Sequence, residues 1–478
     1  SGLGGSGRVG GIVGSLKRML GANAEPLPPG YEVPKRLLRQ VPTRVTRLGN
    51  GMRVATESHP MGAVTVGVWI DAGTRYETPS SNGVAHFLEH LIFKGTRART
   101  QGQLEVQVEN LGMHLNAYTS REMTAYFGRA VKSQLPQVVE VLADILQNSN
   151  ITAQSVENER DVILREMEEV NKQPGELLFD YLHGSAYQYC PLGKTILGPE
   201  ENIRSLTRDQ LISYIQTHYK PHRMVLVGAG DVDHDEMVNL ANKHFGGFQP
   251  DPNPMTAFDY AKADPAFLTG GDIRLQDDSM RQAHFVFAWE TCGAAHPDAV
   301  AIAVLYSLLG TYERSGIPGD CSSSRMAQAL SKVPNCKSLS SFSTMYMDTG
   351  LFGVYAIGEA PELDDIAHEV MIETIRPCFK VDEIDLARAK ASLKTNTLAA
   401  LDGSLAIAED IGRQMLSYGR RIPVPELFAR IDAVDAEAVK RVASKYLYDR
   451  DLSVAAMGPV HDLPDYNWLR RRTFWLSY

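Results

Sequence analysis

Met224-Val-Leu-Val-Gly-Ala-Gly230 and Leu452-Ser-Val-Ala-Ala-Met-Gly458 are short apolar runs that both end in glycine. Each follows a helical pattern and a turn containing tyrosine, His218-Tyr219-Lys220 in one case and Lys445-Tyr446-Leu447 in the other. A short apolar run bounded by turn residues reads as a buried strand. Outward from these two strands, the same order of elements recurs. Ahead of the first, residues 43–57 predict a hairpin turning at Gly49-Asn50-Gly51, and Val64, Val66, Val68 and Ile70 alternate as a strand. A helix is predicted over about 82–94, a strand pair over 114–131, and helices over 133–147 and 153–170. More helix follows, and another starts near Asp233, beyond the run. Ahead of the second run come a strand at 283–289, a helix at 296–309 and a strand pair within 338–358. Helices are then predicted over 363–375, 381–401 and 432–446. The repetition predicts an α+β fold of two homologous domains, each an antiparallel-rich sheet packed with helices, from an internal duplication. Pro250, Pro252, Pro254 and Pro265 mark the connection. The expected organisation is an N-terminal extension at 1–42, a first domain at 43–249, a linker at 250–272 and a second domain at 273–478.

A chain of 478 residues has room for two such domains. Its 44% hydrophobic and 22% charged composition is that of a globular protein. The net charge of −9 argues against nucleic acid as a main ligand and suits basic partners. No apolar stretch reaches the ~20 residues of a membrane-spanning helix. The longest, Ala299 to Leu309, reads as a buried helix. Cys190, Cys292, Cys321, Cys336 and Cys378 are odd in number and widely spaced, which fits neither a disulfide framework nor a cysteine zinc site. Residues 1–24 carry Arg8, Lys17 and Arg18 and no acid, with Val9, Ile12, Val13, Leu16 and Leu20 able to share a helical face. That pattern resembles an organelle transit segment, and the expectation is a remnant of one or a docking arm.

The chemistry concentrates in His86-Phe-Leu-Glu89-His90, an H-x-x-E-H pattern. Ser80, Ser81 and Asn82 offer N-caps for its helix, and Gly95 a stop. Histidines four apart lie one turn apart on one face, so two imidazoles can reach one Zn²⁺ at ~2.0–2.1 Å. Glu89 lies on the same side, placed to take a proton from bound water rather than to ligate. A catalytic zinc needs a third protein ligand. The acid-rich helix over 153–170 offers Glu159 and Glu166, which are seven apart and share a face beside Val156, Ile163, Met167 and Val170. The second half supplies an internal control. Its matching helix after His296 has neither histidine nor glutamate, and the helix matching the distal acids offers Ala391 or Lys394. One Zn²⁺ in the first domain is therefore expected, and none in the second.

With these residues in hand, the chain resembles the pitrilysin-type inverzincin family. The resemblance covers nearly everything after about residue 30 and is carried by residues 83–96, 115–122, 159–167 and 346–353. Within that family it is most similar to the β-type subunits of mitochondrial processing peptidases, which in plants and algae are also core subunits of the cytochrome bc1 complex. The stretch 463–475 is similar to plant and algal members. The resemblance implies Glu166 as third zinc ligand and Glu159 as a supporting catalytic acid. It implies that Asn116, Ala117 and Tyr118 form an edge strand that pairs with an extended substrate. Phe93 would line the pocket after the cut, and Glu176 and Asp180 would hold an arginine before it. Residues 157–180 hold eight acids and three basic residues, which fits that last role. Residues 310–324 have only scattered glycines, unlike the long glycine-rich loop of the family's α-subunits. The implied function is a zinc metalloendopeptidase subunit that cleaves basic presequences of imported proteins. Its implied partners are an α-subunit (core subunit 2) and other cytochrome bc1 subunits. Its implied place is the mitochondrial matrix or the matrix face of the inner membrane. The alternative is a catalytically silent core subunit of that complex, and a bacterial-type processing protease is a third option.

Overall fold

The computed structural model describes residues 41–316, 321–322 and 324–474. The residue 1–24 segment, Gly319 in the 310–324 stretch and Trp475 in the C-terminal stretch lie outside the described residues.

Two six-stranded sheets form the framework. The first contains β1 (Arg44–Arg47), β2 (Arg53–Ser58), β3 (Ala63–Ile70), β4 (His114–Thr119), β5 (Thr124–Val131) and β6 (Met224–Gly230), in the order β1-β2-β6-β3-β5-β4. The second contains β7 (Gly271–Gln276), β8 (Ala283–Cys292), β9 (Thr311–Glu313), β10 (Cys336–Met345), β11 (Thr349–Gly358) and β12 (Leu452–Gly458), in the order β7-β12-β8-β11-β10-β9. Five strands correspond one to one. β2 runs parallel to β6 as β7 does to β12. The pairs β6–β3, β3–β5 and β5–β4 are antiparallel, as are β12–β8, β8–β11 and β11–β10. The repeated α+β unit is thus present as topology. The two opening runs are its buried strands: all of β6 is buried, and all of β12 but Met457. β1 belongs to the first unit alone and β9 to the second.

The helices of the first half are α1 (Val84–Leu91), α2 (Gln101–Asn110), α3 (Leu135–Asn148), α4 (Ala153–Val170), α5 (Pro174–Ala186), α6 (Glu200–Ser205), α7 (Arg208–His218) and α8 (His234–Phe245). α9 (Ala257–Ala263) lies within the proline-rich connection. The second half has α10 (Ala299–Leu309), α11 (Arg325–Leu330), α12 (Leu363–Ile375), α13 (Glu383–Ala399), α14 (Ser404–Ser417), α15 (Val424–Ala433), α16 (Ala436–Tyr446) and α17 (Tyr466–Arg472).

The sheets follow sequence order, but the helices do not all do so. α5 and the end of α4, from Leu164 on, group with the second unit, and α14 with most of α15, as far as Arg430, groups with the first. α14 buries Ile407, Ala408, Ile411 and Met415 against Trp69, Val225 and Val227 of the first sheet. A Cβ on its Gly412 would come 2.2 Å from Trp69, so only glycine allows this approach. α5 buries Leu178, Leu182 and Ala186 against Val286, Ala288 and Leu351 of the second sheet. Each of these helices follows the long helix of its own half, α4 or α13, so the exchange is reciprocal in chain order. Hydrophobic pattern tells which face of a helix is buried, not which sheet it is buried against.

Some expected elements shift. The helix expected over 432–446 is two helices. The first ends at Ala433, and Asp435 caps the second, its side chain accepting from Ala438 N. β7 was not apparent in the sequence because it holds only two apolar residues, Ile273 and Leu275, and directly follows the proline-rich connection; its parallel pairing with β12 holds it. Four cysteines are buried and Cys321 is exposed, and all five are thiols rather than disulfides. Among the described residues, no helix is long and apolar enough to cross a membrane.

Candidate metal centre

α1 is short and apolar on most sides: Val84, Ala85, Phe87, Leu88 and Leu91 are buried. His86 is buried among them, while Glu89 and His90 are half-buried. The expected caps at Ser80, Ser81 and Asn82 do not cap this helix. Ser81 closes a box with Thr78 on the preceding 3-10 turn, and α1 starts from Gly83 at φ +104. A side chain there would collide with Leu197 O and Ile203, each 2.8 Å from an added Cβ. The exposed amides of the helix start are taken by a residue sequence reasoning missed. The buried Glu77 carboxylate accepts from Gly83 N at 2.9 Å, Ala85 N at 2.8 Å and Asn82 Nδ2 at 2.8 Å. An acid at a helix N-terminus also complements the helix dipole. Gly95, expected to end the helix, adopts φ +108 beyond its last turn, after Ile92 N has closed on Leu88 O.

α4 runs unbroken from Ala153 to Val170, as the sequence predicts. Val156, Glu159 and Ile163 are its buried residues, and Glu168 and Glu169 are exposed. Arg160 pins it by donating to the main-chain oxygens of Ile203 and Leu206.

These two helices bring His86, His90 and Glu166 together: one ligand atom from each lies within 4.8 Å of the others. Among the described residues this is the one such trio. The imidazole centroids of His86 and His90 are 4.8 Å apart. Glu159 does not join the trio. Its Oε1 is 2.9 Å from His90 Nδ1 and its Oε2 is 3.0 Å from Lys94 Nζ. With Nδ1 engaged by a carboxylate, Nε2 of His90 is the ring nitrogen available to a metal. Burial pushes the Glu159 carboxyl up, but the hydrogen bonds from His90 and Lys94 and the Lys94 charge outweigh it and hold the group below its ordinary value. Two imidazole nitrogens, a carboxylate oxygen and an outer carboxylate oriented on one histidine form a donor set that fits zinc.

Around the trio, Phe93 is half-buried and edge-on to Tyr126, with ring centroids 6.1 Å apart. Tyr126 and Tyr219 share a buried hydrogen bond of 2.9 Å. Burial pushes both phenols up, and the Glu89 carboxylate adds to the effect, so both remain protonated. β4 is an edge strand of the first sheet. Asn116, Ala117 and Tyr118 pair with Phe127, Tyr126 and Ala125 of β5. Asn116 is exposed, and its Oδ1 accepts from Ala117 N at 2.8 Å. The Tyr118 side chain is fixed by Trp69 Nε1 at 3.1 Å. Glu176, exposed, and Asp180, half-buried, stand one turn apart on α5, which groups with the second unit. The sequence signal that would have found Lys94 is its spacing of four from His90; nothing local marks Glu77, whose bonds reach up to eight residues ahead.

Residues 53–200 match a family described as insulinase, peptidase family M16, and residues 205–393 match the M16 inactive domain. Among curated proteins, the chain is 50% identical over 437 residues to a probable mitochondrial-processing peptidase subunit beta of Arabidopsis thaliana, covering 91% of this chain and 82% of that one. It is 51% identical over 435 residues to the mitochondrial-processing peptidase subunit beta of Bos taurus, covering 91% and 88%. Among solved structures, a chain of complex III2 from Candida albicans, bound to Inz-5, matches with a TM-score of 0.81 at 24% identity, covering 90% of this chain and 99% of that one.

Proposed function

The chain belongs to the insulinase-type peptidase family M16, on the branch of the mitochondrial-processing peptidase beta subunits, and from that premise we propose that it is a zinc metalloendopeptidase subunit removing basic presequences from imported mitochondrial proteins. The observation that carries this reading is the convergence of His86, His90 and Glu166, with Glu159 bonded to His90.

His86, His90 and Glu166 would hold the metal. Zinc, when bound there, supplies a water acidic enough to act as nucleophile and polarises the scissile carbonyl. Glu89 takes the proton from the attacking water and later gives it to the leaving amine. Glu159 is a supporting acid: it keeps the proton of His90 on Nδ1. The edge of β4 at Asn116, Ala117 and Tyr118 offers main-chain groups to an extended peptide, which tolerates varied sequence. To pair with Ala117 N, the peptide displaces the Asn116 side chain. Because Tyr118 is fixed on Trp69, its contribution is through the main chain. Phe93 lines the pocket after the cut, and Glu176 and Asp180 receive an arginine before it.

The chain is mitochondrial, as its relatives' names are. We place it in the matrix with an α-subunit as partner. A second role, as a core subunit of the cytochrome bc1 complex on the matrix face of the inner membrane, is favoured by the fold it has in common with a complex III chain. The intact trio argues against a silent subunit. The test is cleavage of a basic presequence peptide by the chain reconstituted with an α-subunit. Cleavage that a chelator stops and zinc restores supports the proposal; no cleavage by a zinc-loaded pair overturns it in favour of the structural role.

A further inference from the structure

We propose that Lys94 is a positioning residue of the metal centre: it locks the Glu159 carboxylate in the orientation that fixes the His90 ring. The inference rests on the metal reading above and adds a residue to it.

Glu159 is 4% exposed, and both of its carboxylate oxygens are engaged, Oε1 by His90 Nδ1 at 2.9 Å and Oε2 by Lys94 Nζ at 3.0 Å. Two contacts at opposite oxygens define the plane of the carboxylate, whereas one leaves it free to turn. The Lys94 backbone is itself held. Its N–H closes on Leu91 O at 3.0 Å, and the next residue, Gly95, is left-handed, with room for no Cβ beside Gln101 N at 2.9 Å. Asn150 N donates to Gly95 O at 3.0 Å, and Arg97 N to Asn148 O at 3.0 Å. The turn that carries Lys94 is therefore stitched to the residues that lead into α4, the helix that carries Glu159. One ladder fixes where Lys94 begins and where Glu159 stands.

Losing the ammonium would leave Oε2 without its charged donor in a place with little access to water. Burial of an unsatisfied carboxylate oxygen is costly. The carboxylate then turns toward solvent, and the hydrogen bond that orients His90 loosens. Removal of an outer partner of a metal-binding histidine commonly lowers metal affinity ~10–100-fold. Lys94 acts one step further out, so about the lower end of that range is expected.

The sign of the effect separates this idea from simple Coulomb attraction. A cation near a dication repels it, so if charge alone mattered, Lys94→Met would tighten zinc binding. The experiment is competition for Zn²⁺ between a chromophoric chelator and the full chain, in the parent, K94M, K94Q and K94R, with the melting temperature of each metal-free protein measured alongside. Positioning predicts that K94M weakens zinc binding about tenfold. It predicts that K94Q, which keeps a donor without the charge, lies between, and that K94R stays close to the parent. If K94M does not fold, K94Q and K94R decide by the same ordering. Zinc bound by K94M as tightly as by the parent, or more tightly, overturns the inference, as does K94R binding as weakly as K94M. If the parent itself takes up no zinc, the metal reading fails and this inference with it.

Discussion

The helix that follows β3 carries His86, Glu89 and His90; the helix that follows β8, in the matching place of the second unit, reads Ala-Val-Ala-Ile-Ala-Val-Leu-Tyr-Ser-Leu-Leu over 299–309. Five strands around each keep the same order and sense. The fold therefore requires a helix with a buried face in this position and does not require imidazoles or carboxylates on it. Both units also secure the start of that helix with a buried acid, by different means. Glu77 takes main-chain amides of α1. Asp298, just ahead of α10, pairs with Arg441 at 2.7 Å and Lys445 at 2.9 Å and accepts from Tyr446 at 3.0 Å. Anchoring of this helix is common to both halves, whereas the two histidines and the glutamate between them are particular to the first.

The widest gap between the two halves is expected at the base. Glu89→Gln keeps the size of the side chain, removes the base, and should lower kcat by ~10²–10⁴-fold with zinc content unchanged. Tyr306→Phe on α10 should leave kcat as it is. Equal losses in the two variants, measured on one presequence peptide, would mean that the halves do not divide chemistry from framework.

A second, smaller effect concerns selectivity. Glu176→Gln with Asp180→Asn should cost an arginine-bearing presequence roughly tenfold or more in kcat/KM, a change of ~1.4 kcal/mol or more. A peptide with alanine at that position should lose little. Equal losses on both peptides would assign the pair to the fold of the second unit instead.

Glu77→Ala sharpens the anchoring side of the comparison. It strips an acceptor from three donors at once, and a destabilisation of about 1–3 kcal/mol is expected, read as a lower melting temperature of the metal-free chain. An unchanged melting temperature would show that solvent caps α1 equally well.

A further effect, seen only in acid, concerns His218 and leaves activity at neutral pH unchanged. Burial, and then the Arg223 charge, hold the His218 imidazole down to about 3, from an ordinary 6.5. Its Nδ1 accepts from Arg223 Nη1 at 3.0 Å. The unfolded chain binds a proton here at a higher pH than the folded one. The stabilising contribution is therefore complete above pH 6.5 and declines as pH falls toward 3. One proton corresponds to at most ~1.4 kcal/mol per pH unit. His218→Gln should flatten the fall in stability across that window; an unaltered slope in urea titrations would remove His218 from the account.

Much of this was readable before any coordinates. Strands β6 and β12 fall where their short apolar runs, bounded by turn residues, put them, and helices α4 and α12 fall where helical periodicity does. His86, Glu89 and His90 were readable because a helix fixes their spacing. What the sequence left open depends on long-range contacts. Both Glu159 and Glu166 had the right spacing, and periodicity did not choose between them; in the structure Glu166 joins the two histidines while Glu159 faces His90 Nδ1 and Lys94. The capping of α1 by Glu77 bridges a 3-10 turn whose serines look like better caps. The exchange of α5 and α14 between units leaves no trace in either helix's pattern, since a buried stripe of leucine and isoleucine serves either sheet equally well.

If one half binds metal and the other supplies framework, the number of zinc ions held per chain must be one and must depend on the first half's residues. The parent chain, reconstituted with an α-subunit, dialysed against a small excess of zinc and analysed by plasma mass spectrometry, should retain one zinc per copy of this chain. His90→Ala and Glu166→Ala, treated identically, should each retain close to none while keeping their circular dichroism. Two zinc ions per chain, or one that survives both substitutions, would contradict the account.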